Sequence, residues 1–206
     1  MKFFITGSST DVGKTVASAI VTQALEADYW KPVQAGDLTN SDSHKVAAYV
    51  SNAKTKIHPN SYALNTPASP HWSAEIDGVR IDVSKIAEPE IQNEHLVIEG
   101  AGGLLVPLNE SETIADLIRP DYQVIVVSRH YLGSISHTLL TIEALQNREA
   151  RIAGIIFSGD ENPSTEKIIL EKTGLKMIGR IETEPYFDKN VIAEYADKFR
   201  ENLLKS

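Results

Sequence analysis

Apolar and polar positions along the chain fall into two kinds of block. Short runs that are apolar throughout recur as Phe3-Phe4-Ile5, Leu96-Val97-Ile98, Val124-Ile125-Val126-Val127 and Ile152 to Phe157. A strand with one wet face alternates apolar and polar residues, so continuous runs predict strands covered on both faces, as in a parallel sheet. Tyr29 to Val33 and Lys176 to Ile181 read as further strands. Between them lie blocks with helical spacing: Lys14 to Ala27, Ser134 to Gln146 with Ile135, Leu139, Leu140, Ile142 and Leu145, Ser164 to Lys172, and Asp188 to Leu204. Shorter helices are predicted near 43–49, 69–76, 83–92 and 113–118, the second set among loops marked by Pro59, Pro67 and Pro70. The alternation predicts an α/β fold, a doubly wound, mostly parallel sheet with helices on both faces. With 206 residues and no internal repeat, it reads as one domain spanning 1–206.

The first strand runs into Gly7-Ser8-Ser9-Thr10-Asp11-Val12-Gly13-Lys14-Thr15 and then into a helix. A strand, a loop of small residues and Gly-Lys-Thr at a helix start is the layout of a P-loop, which makes the fold one of the P-loop NTPase type. Backbone N–H groups and the helix dipole favour phosphate there, so Asp11, Val12, Gly13, Lys14, Thr15 and Val16 are candidate nucleotide contacts. Lys14 is placed to reach the β- and γ-phosphates and Thr15 to ligate Mg²⁺. The pattern G-x-x-x-x-G-K-S/T wants glycine where Ser8 stands, so the loop is a longer variant.

In such a fold, chemistry gathers at the carboxyl ends of the strands. Glu99 ends an apolar run and is followed by Gly100-Ala101-Gly102-Gly103, which fits a carboxylate on Mg²⁺ beside a closely approached backbone. Asn40-Ser41-Asp42 reads either as a helix N-cap or as the source of a second metal carboxylate, Asp42. Lys31 closes a strand beside Pro32 and is either a solvated lysine or a group for a substrate anion or transferred phosphoryl. Asp11, a carboxylate inside a phosphate loop, points to an amine-bearing substrate. The six histidines show no ligand spacing, so a zinc site is not expected.

Composition narrows the class. A net charge of −8 argues against a general nucleic-acid binder, which needs a basic face. There is no cysteine, hence no disulfide, thiolate metal site or cysteine nucleophile. No apolar stretch is long enough for a membrane span and the N-terminus is a poor signal peptide, so a cytoplasmic enzyme is expected.

Taken in order, the segment Gly7–Thr15, Lys31-Pro32-Val33-Gln34-Ala35-Gly36, Asn40-Ser41-Asp42, Pro67-Ala68-Ser69-Pro70-His71, Val97 to Gly103 and Leu132-Gly133-Ser134-Ile135-Ser136-His137 resemble the dethiobiotin synthetase family of the biotin pathway. The resemblance implies an ATP- and Mg²⁺-dependent ligase. It carboxylates 7,8-diaminopelargonic acid with carbon dioxide, activates the carbamate with the γ-phosphate of ATP, and closes the ureido ring of dethiobiotin. It implies that Thr15, Asp42 and Glu99 bind the metal, that Lys14 and Lys31 stabilise the γ-phosphate and carbamate, and that Thr10 and Asp11 face the diamine and nucleotide. It also implies a homodimer in which Gly133, Ser134, Ile135 and Ser136 of one subunit receive the substrate carboxylate on the other.

The competing readings are a ParA/MinD-like switch ATPase, a related amidoligase or kinase, and a silent nucleotide-binding module. The switch proteins carry an early lysine in K-G-G-x-x-G-K-S/T, and Gly7-Ser8-Ser9-Thr10 has none. Three departures from the family stand out. Ala35 replaces a common hydroxyl residue, Ser136 replaces Asn, and Ser158-Gly159 replaces the Asn-Asp pair that reads adenine. The changes at Ala35 and Ser158-Gly159 put nucleotide selectivity in doubt, so a looser preference for ATP over GTP is expected. Turnover with the two nucleotides checks it, and a strong ATP preference contradicts it.

Overall fold

The apolar runs form the strands, and each feeds two cores because successive side chains leave opposite faces of a sheet. The computed structural model describes residues 1–205. In chain order the elements are β1 (Lys2–Gly7), α1 (Lys14–Leu25), β2 (Asp28–Trp30), β3 (Val33–Ala35), α2 (Asp42–Tyr49), β4 (Ile57–His58), β5 (Tyr62–Leu64) and α3 (Pro70–Ile76), then β6 (Leu96–Gly103), β7 (Tyr122–Arg129), α4 (Ser134–Gln146), β8 (Arg151–Ser158), α5 (Pro163–Thr173), β9 (Met177–Ile181) and α6 (Lys189–Leu204). Seven strands form one sheet in the order β4-β2-β6-β1-β7-β8-β9. Neighbouring strands pair in parallel throughout.

Phe3, Ile5, Tyr29, Val97 and Ile125 face α1 and α6, where they meet Ile20, Val21, Tyr195 and Phe199. Their neighbours Phe4, Trp30, Ile98, Val124 and Val126 face the other way, against Ile142 of α4 and Ile169 of α5. The expected doubly wound α/β architecture is therefore present. With β1 between β6 and β7, the loop after β1 emerges at the middle of the sheet. Parallel order then brings the ends of β2 and β6 to the same rim.

Three local expectations change. The strand expected over Tyr29 to Val33 breaks at Lys31-Pro32, and β3 pairs with β5 in a separate two-stranded sheet. The Pro32 carbonyl accepts from Ser61 and Tyr62 N–H at 2.8 and 3.0 Å, which fixes that departure. The helix expected over Val83 to Gln92 is only a 3₁₀ turn at Val83–Lys85. Pro89 lacks an N–H and restricts Glu88 before it, and the Glu88 carboxylate is taken by Lys2 at 2.7 Å and the Tyr122 hydroxyl at 2.6 Å. The helix expected over 113–118 is likewise a 3₁₀ turn, Ile114–Leu117, closed by a Thr113–Asp116 capping box. Among the described residues, no helix is long and apolar enough to cross a membrane.

Gly179 shows how closely α6 packs on β9. A Cβ there would lie 2.1 Å from Cε1 of the buried Phe199 ring. Gly179→Ala is expected to cost about 1–3 kcal/mol through overpacking, with a smaller cost in a Phe199→Leu background. Urea unfolding measures both; equal costs in the two backgrounds would contradict the packing assignment.

Candidate active site

The loop after β1 folds back because Gly7 has no side chain: a Cβ would sit 2.6 Å from Val12 Cγ2 and 2.8 Å from Ser9 O. Asp11 (φ 53) and Gly13 (φ 94) both take left-handed backbone, which curves the loop and turns its N–H groups inward. Gly13 caps α1, whose first turn reads Lys14-Thr15-Val16, so the helix N-terminus faces the loop with no competing acid. Lys14 Nζ donates to Ser9 O at 3.0 Å. Burial lowers the Lys14 pKa to about 8, and phosphate oxygens arriving beside it would favour its charged form.

Beside the loop lies a cluster of buried charge. The strand expected to end at Glu99 runs on to Gly103, so Glu99 lies within β6, opposite Ile5, and is fully buried. Its Oε1 accepts from Thr15 Oγ1 at 3.0 Å and from Lys31 Nζ at 3.0 Å, and its Oε2 accepts from the Tyr29 hydroxyl at 2.9 Å. Lys31 Nζ also donates to Asp42 Oδ2 at 2.5 Å. Burial opposes the Lys31 charge, but Glu99 and Asp42 outweigh it and hold the pKa above the usual lysine value. Burial likewise opposes the Asp42 charge, and Lys31 outweighs it, leaving that pKa below the ordinary range. Burial, then Glu99, pushes the Tyr29 phenol well up, so it remains a donor.

The N-cap of α2 is Ser41, which forms a reciprocal capping box with His44. Asp42 therefore sits in the first helical turn with its carboxylate free to meet Lys31. The expected N-cap within Asn40-Ser41-Asp42 is thus Ser41. Lys31 is correspondingly buried and paired, not solvated.

Two cavities meet here. One of about 350 Å³ is lined by Asp11, Gly13, Lys14, Thr15, Val16, Asp42, Glu99 and Gly102, together with Thr10, Lys31 and Lys45. The other, of about 1000 Å³, shares Thr10, Asp11, Lys31, Asp42 and Gly102 and runs on past Ala35, Pro67 to Pro70, Ala101, Leu104 to Pro107, and His137, Leu140 and Thr141 of α4. Val12 and Gly100 lie behind these walls: Val12 belongs to the core, and a Cβ on Gly100 would meet Ile114 at 3.1 Å. Gly133, Ser134, Ile135 and Ser136 line a third cavity, of about 880 Å³, with His130 and Tyr131. Within one chain they are not brought to the phosphate loop. Ser158 does reach it, its Oγ lying 3.0 Å from where a Gly13 Cβ would be.

Sequence reasoning missed Tyr29 and Lys45. Tyr29 carried no signal, since its bond to Glu99 depends on the pairing of β2 with β6. Lys45 could have been found from its spacing of three residues from Asp42 on a helix.

A family model described as an AAA domain matches residues 1–191. The ATP-dependent dethiobiotin synthetase of Christiangramia forsetii is 61% identical over 203 residues, covering 98% of each chain. That of Cytophaga hutchinsonii is 48% identical over 202 residues, again covering 98% of each. The chain belongs to the dethiobiotin synthetase family. Solved structures similar to this member include the MinC:MinD cell division protein complex of Aquifex aeolicus, with a TM-score of 0.62 at 15% identity, covering 100% of this chain and 96% of that one. MinD from Pyrococcus horikoshii complexed with Mg-ADP gives 0.61 at 14% identity, covering 100% and 92%. At those identities the likeness extends to the fold alone, so the dethiobiotin synthetase relatives carry the assignment.

Tyr29→Phe removes the donor to a buried carboxylate oxygen and is expected to destabilise the protein by about 1–3 kcal/mol. Urea unfolding of the two proteins checks this, and coincident transitions would contradict the Tyr29–Glu99 bond.

Proposed function

We propose that this chain is an ATP-dependent dethiobiotin synthetase. The observation that carries the reading is the Lys31 ammonium, which stands on the wall shared by the phosphate pocket and the larger cleft. One cation there can face a phosphoryl group from one side and a carboxylated amine from the other. The family relationship supplies the substrates: carbon dioxide adds to one amine of 7,8-diaminopelargonic acid, the carbamate takes the γ-phosphate of ATP, and the second amine attacks the carbonyl and expels phosphate.

The residues divide that work. Backbone N–H groups of the loop and the start of α1 cradle the phosphates, and Lys14 offsets charge on the β- and γ-phosphates. Lys31 stabilises the charge that develops between carbamate and γ-phosphate. Thr10 and Asp11 lie on the lip between the two cavities, where the Asp11 carboxylate can attract an ammonium of the diamine. The largely apolar wall at Leu104 to Val106 and Leu140 suits an alkyl chain.

Thr15, Asp42 and Glu99 would hold Mg²⁺. Their oxygen donors suit a hard cation, and Lys31 already places a positive charge between the two carboxylates. A metal there would take its remaining ligands from phosphate oxygens and water. Bound there, Mg²⁺ would neutralise phosphate charge during transfer.

A second copy of the chain is part of the proposal. Leu132 is fully exposed, and Ile135 and Leu140 of α4 are also exposed, beside the cavity formed by Gly133 to Ser136. A homodimer would cover that surface and bring the α4 N-terminus of one subunit toward the substrate carboxylate of the other. The reading assigns the enzyme to the cytoplasm.

With ATP, Mg²⁺, bicarbonate and diaminopelargonate, the protein is expected to form dethiobiotin; no dethiobiotin, or activity on another carboxylate alone, contradicts the proposal. Lys31→Ala should reduce turnover by about two orders of magnitude or more while ATP still binds. Near-normal turnover would remove Lys31 from the chemistry. Glu99→Gln should raise the Mg²⁺ concentration needed for half-maximal rate, and an unchanged titration would remove Glu99 from the metal.

A further inference from the structure

The phosphate pocket contains a lysine besides Lys14 and Lys31. Lys45 lies on α2 three residues beyond Asp42, with Nζ 3.1 Å from Asp37 Oδ2 and 3.7 Å from Asp42 Oδ1. The two oxygens of Asp42 therefore face different lysines, Oδ2 toward Lys31 and Oδ1 toward Lys45. The result is an alternating chain of charge, Asp37–Lys45–Asp42–Lys31–Glu99, ending on Thr15. Lys45 is the more accessible of the two lysines on Asp42, its side chain 34% exposed against 5% for Lys31.

The loop before α2 is shaped to supply Asp37. Gly36 (φ 71) and Asp37 (φ 56) are both left-handed, and a Cβ on Gly36 would lie 2.5 Å from Pro67 Cα. Aspartate enters that conformation more readily than most side chains because its short carboxylate can bond locally. Here the Asp37 carboxylate is held by Lys45. The helix cap is separate, made by Ser41 and His44, so the Asp37–Lys45 pair is not needed to start α2.

We propose that Lys45 is a positioning residue: anchored by Asp37, it stands beside the second oxygen of Asp42 and so fixes the orientation in which that carboxylate meets Lys31. Without Lys45, one oxygen of Asp42 would lose its charged neighbour and the carboxylate would be free to turn. A carboxylate no longer held in one orientation would place Lys31 less well against the reacting anions. This rests on the ligase reading of the same site.

The test uses Lys45→Met, Lys45→Arg, Asp37→Asn and the double variant Lys45→Met/Asp37→Asn. Lys45→Met should lower kcat about tenfold with ATP affinity by calorimetry unchanged, and Lys45→Arg should restore most of it. Asp37→Asn should give a smaller loss, and the double variant should be no worse than Lys45→Met because Asp37 acts through Lys45. Unchanged kcat in Lys45→Met overturns the proposal. So does ATP affinity that falls in step with kcat, which would make Lys45 a direct phosphate ligand, and so do losses that multiply in the double variant. Independently of turnover, the Lys31 Nζ NMR signal of the nucleotide-free protein should shift in Lys45→Met and return toward its place in Lys45→Arg. An unmoved signal overturns the proposal whether or not the chain makes dethiobiotin, whereas failure of the unaltered chain to make it counts only against the ligase reading.

Discussion

The Lys31 ammonium is buried between the Glu99 and Asp42 carboxylates, and much of the surrounding structure serves to keep it there. A charge removed from water is tolerated only when it is paired and hydrogen-bonded. β2 stops at Trp30 and Pro32 turns the backbone away, which leaves Lys31 at the end of the strand. β6, paired beside β2, brings up Glu99, and Tyr29 satisfies the carboxylate oxygen that Lys31 and Thr15 do not reach. The first turn of α2 adds Asp42. Such a pair is strongly destabilising to break, so the groups suited to phosphoryl chemistry are also bound into the core.

Parallel pairing is what brings these groups together. Because β1, β2 and β6 run the same way, their carboxyl ends share one rim, and the loop leaving β1 meets Glu99 and Lys31 at once. Two apolar cores, one on each face, hold that rim, and Tyr29 belongs both to the first of them and to the site. The left-handed Asp11 and Gly13 then curve the loop into a phosphate cradle at the start of α1. The MinD-like neighbours share this fold.

The parallel sheet was legible because fully apolar runs leave few other folds open, and the segment from Gly7 to Thr15 was legible because phosphate binding constrains local backbone. Glu99 was legible for a related reason, as a charge between an apolar run and a glycine run. The helix expected at Val83 to Gln92 failed because spacing alone does not weigh Pro89 against it, nor the pull of Lys2 and Tyr122 on Glu88. β4 and β5 are too short to show a period. The role of Tyr29 depends on cross-strand register, and which residue of Asn40-Ser41-Asp42 makes the cap depends on hydrogen-bond geometry. Both lie beyond what a linear pattern encodes. Gly133 to Ser136 could be picked out as a motif, but within one chain they line a separate cavity and are not brought to the phosphate loop.

The central claim is that Lys31 and Glu99 form one energetic unit, and a stability cycle by urea unfolding tests it most directly. Lys31→Met leaves two carboxylates without their shared cation and should cost about 3–5 kcal/mol. Glu99→Gln should cost less, because Asp42 still pairs Lys31. The double variant should fall clearly short of the sum of the two single losses. Losses that simply add would contradict the claim.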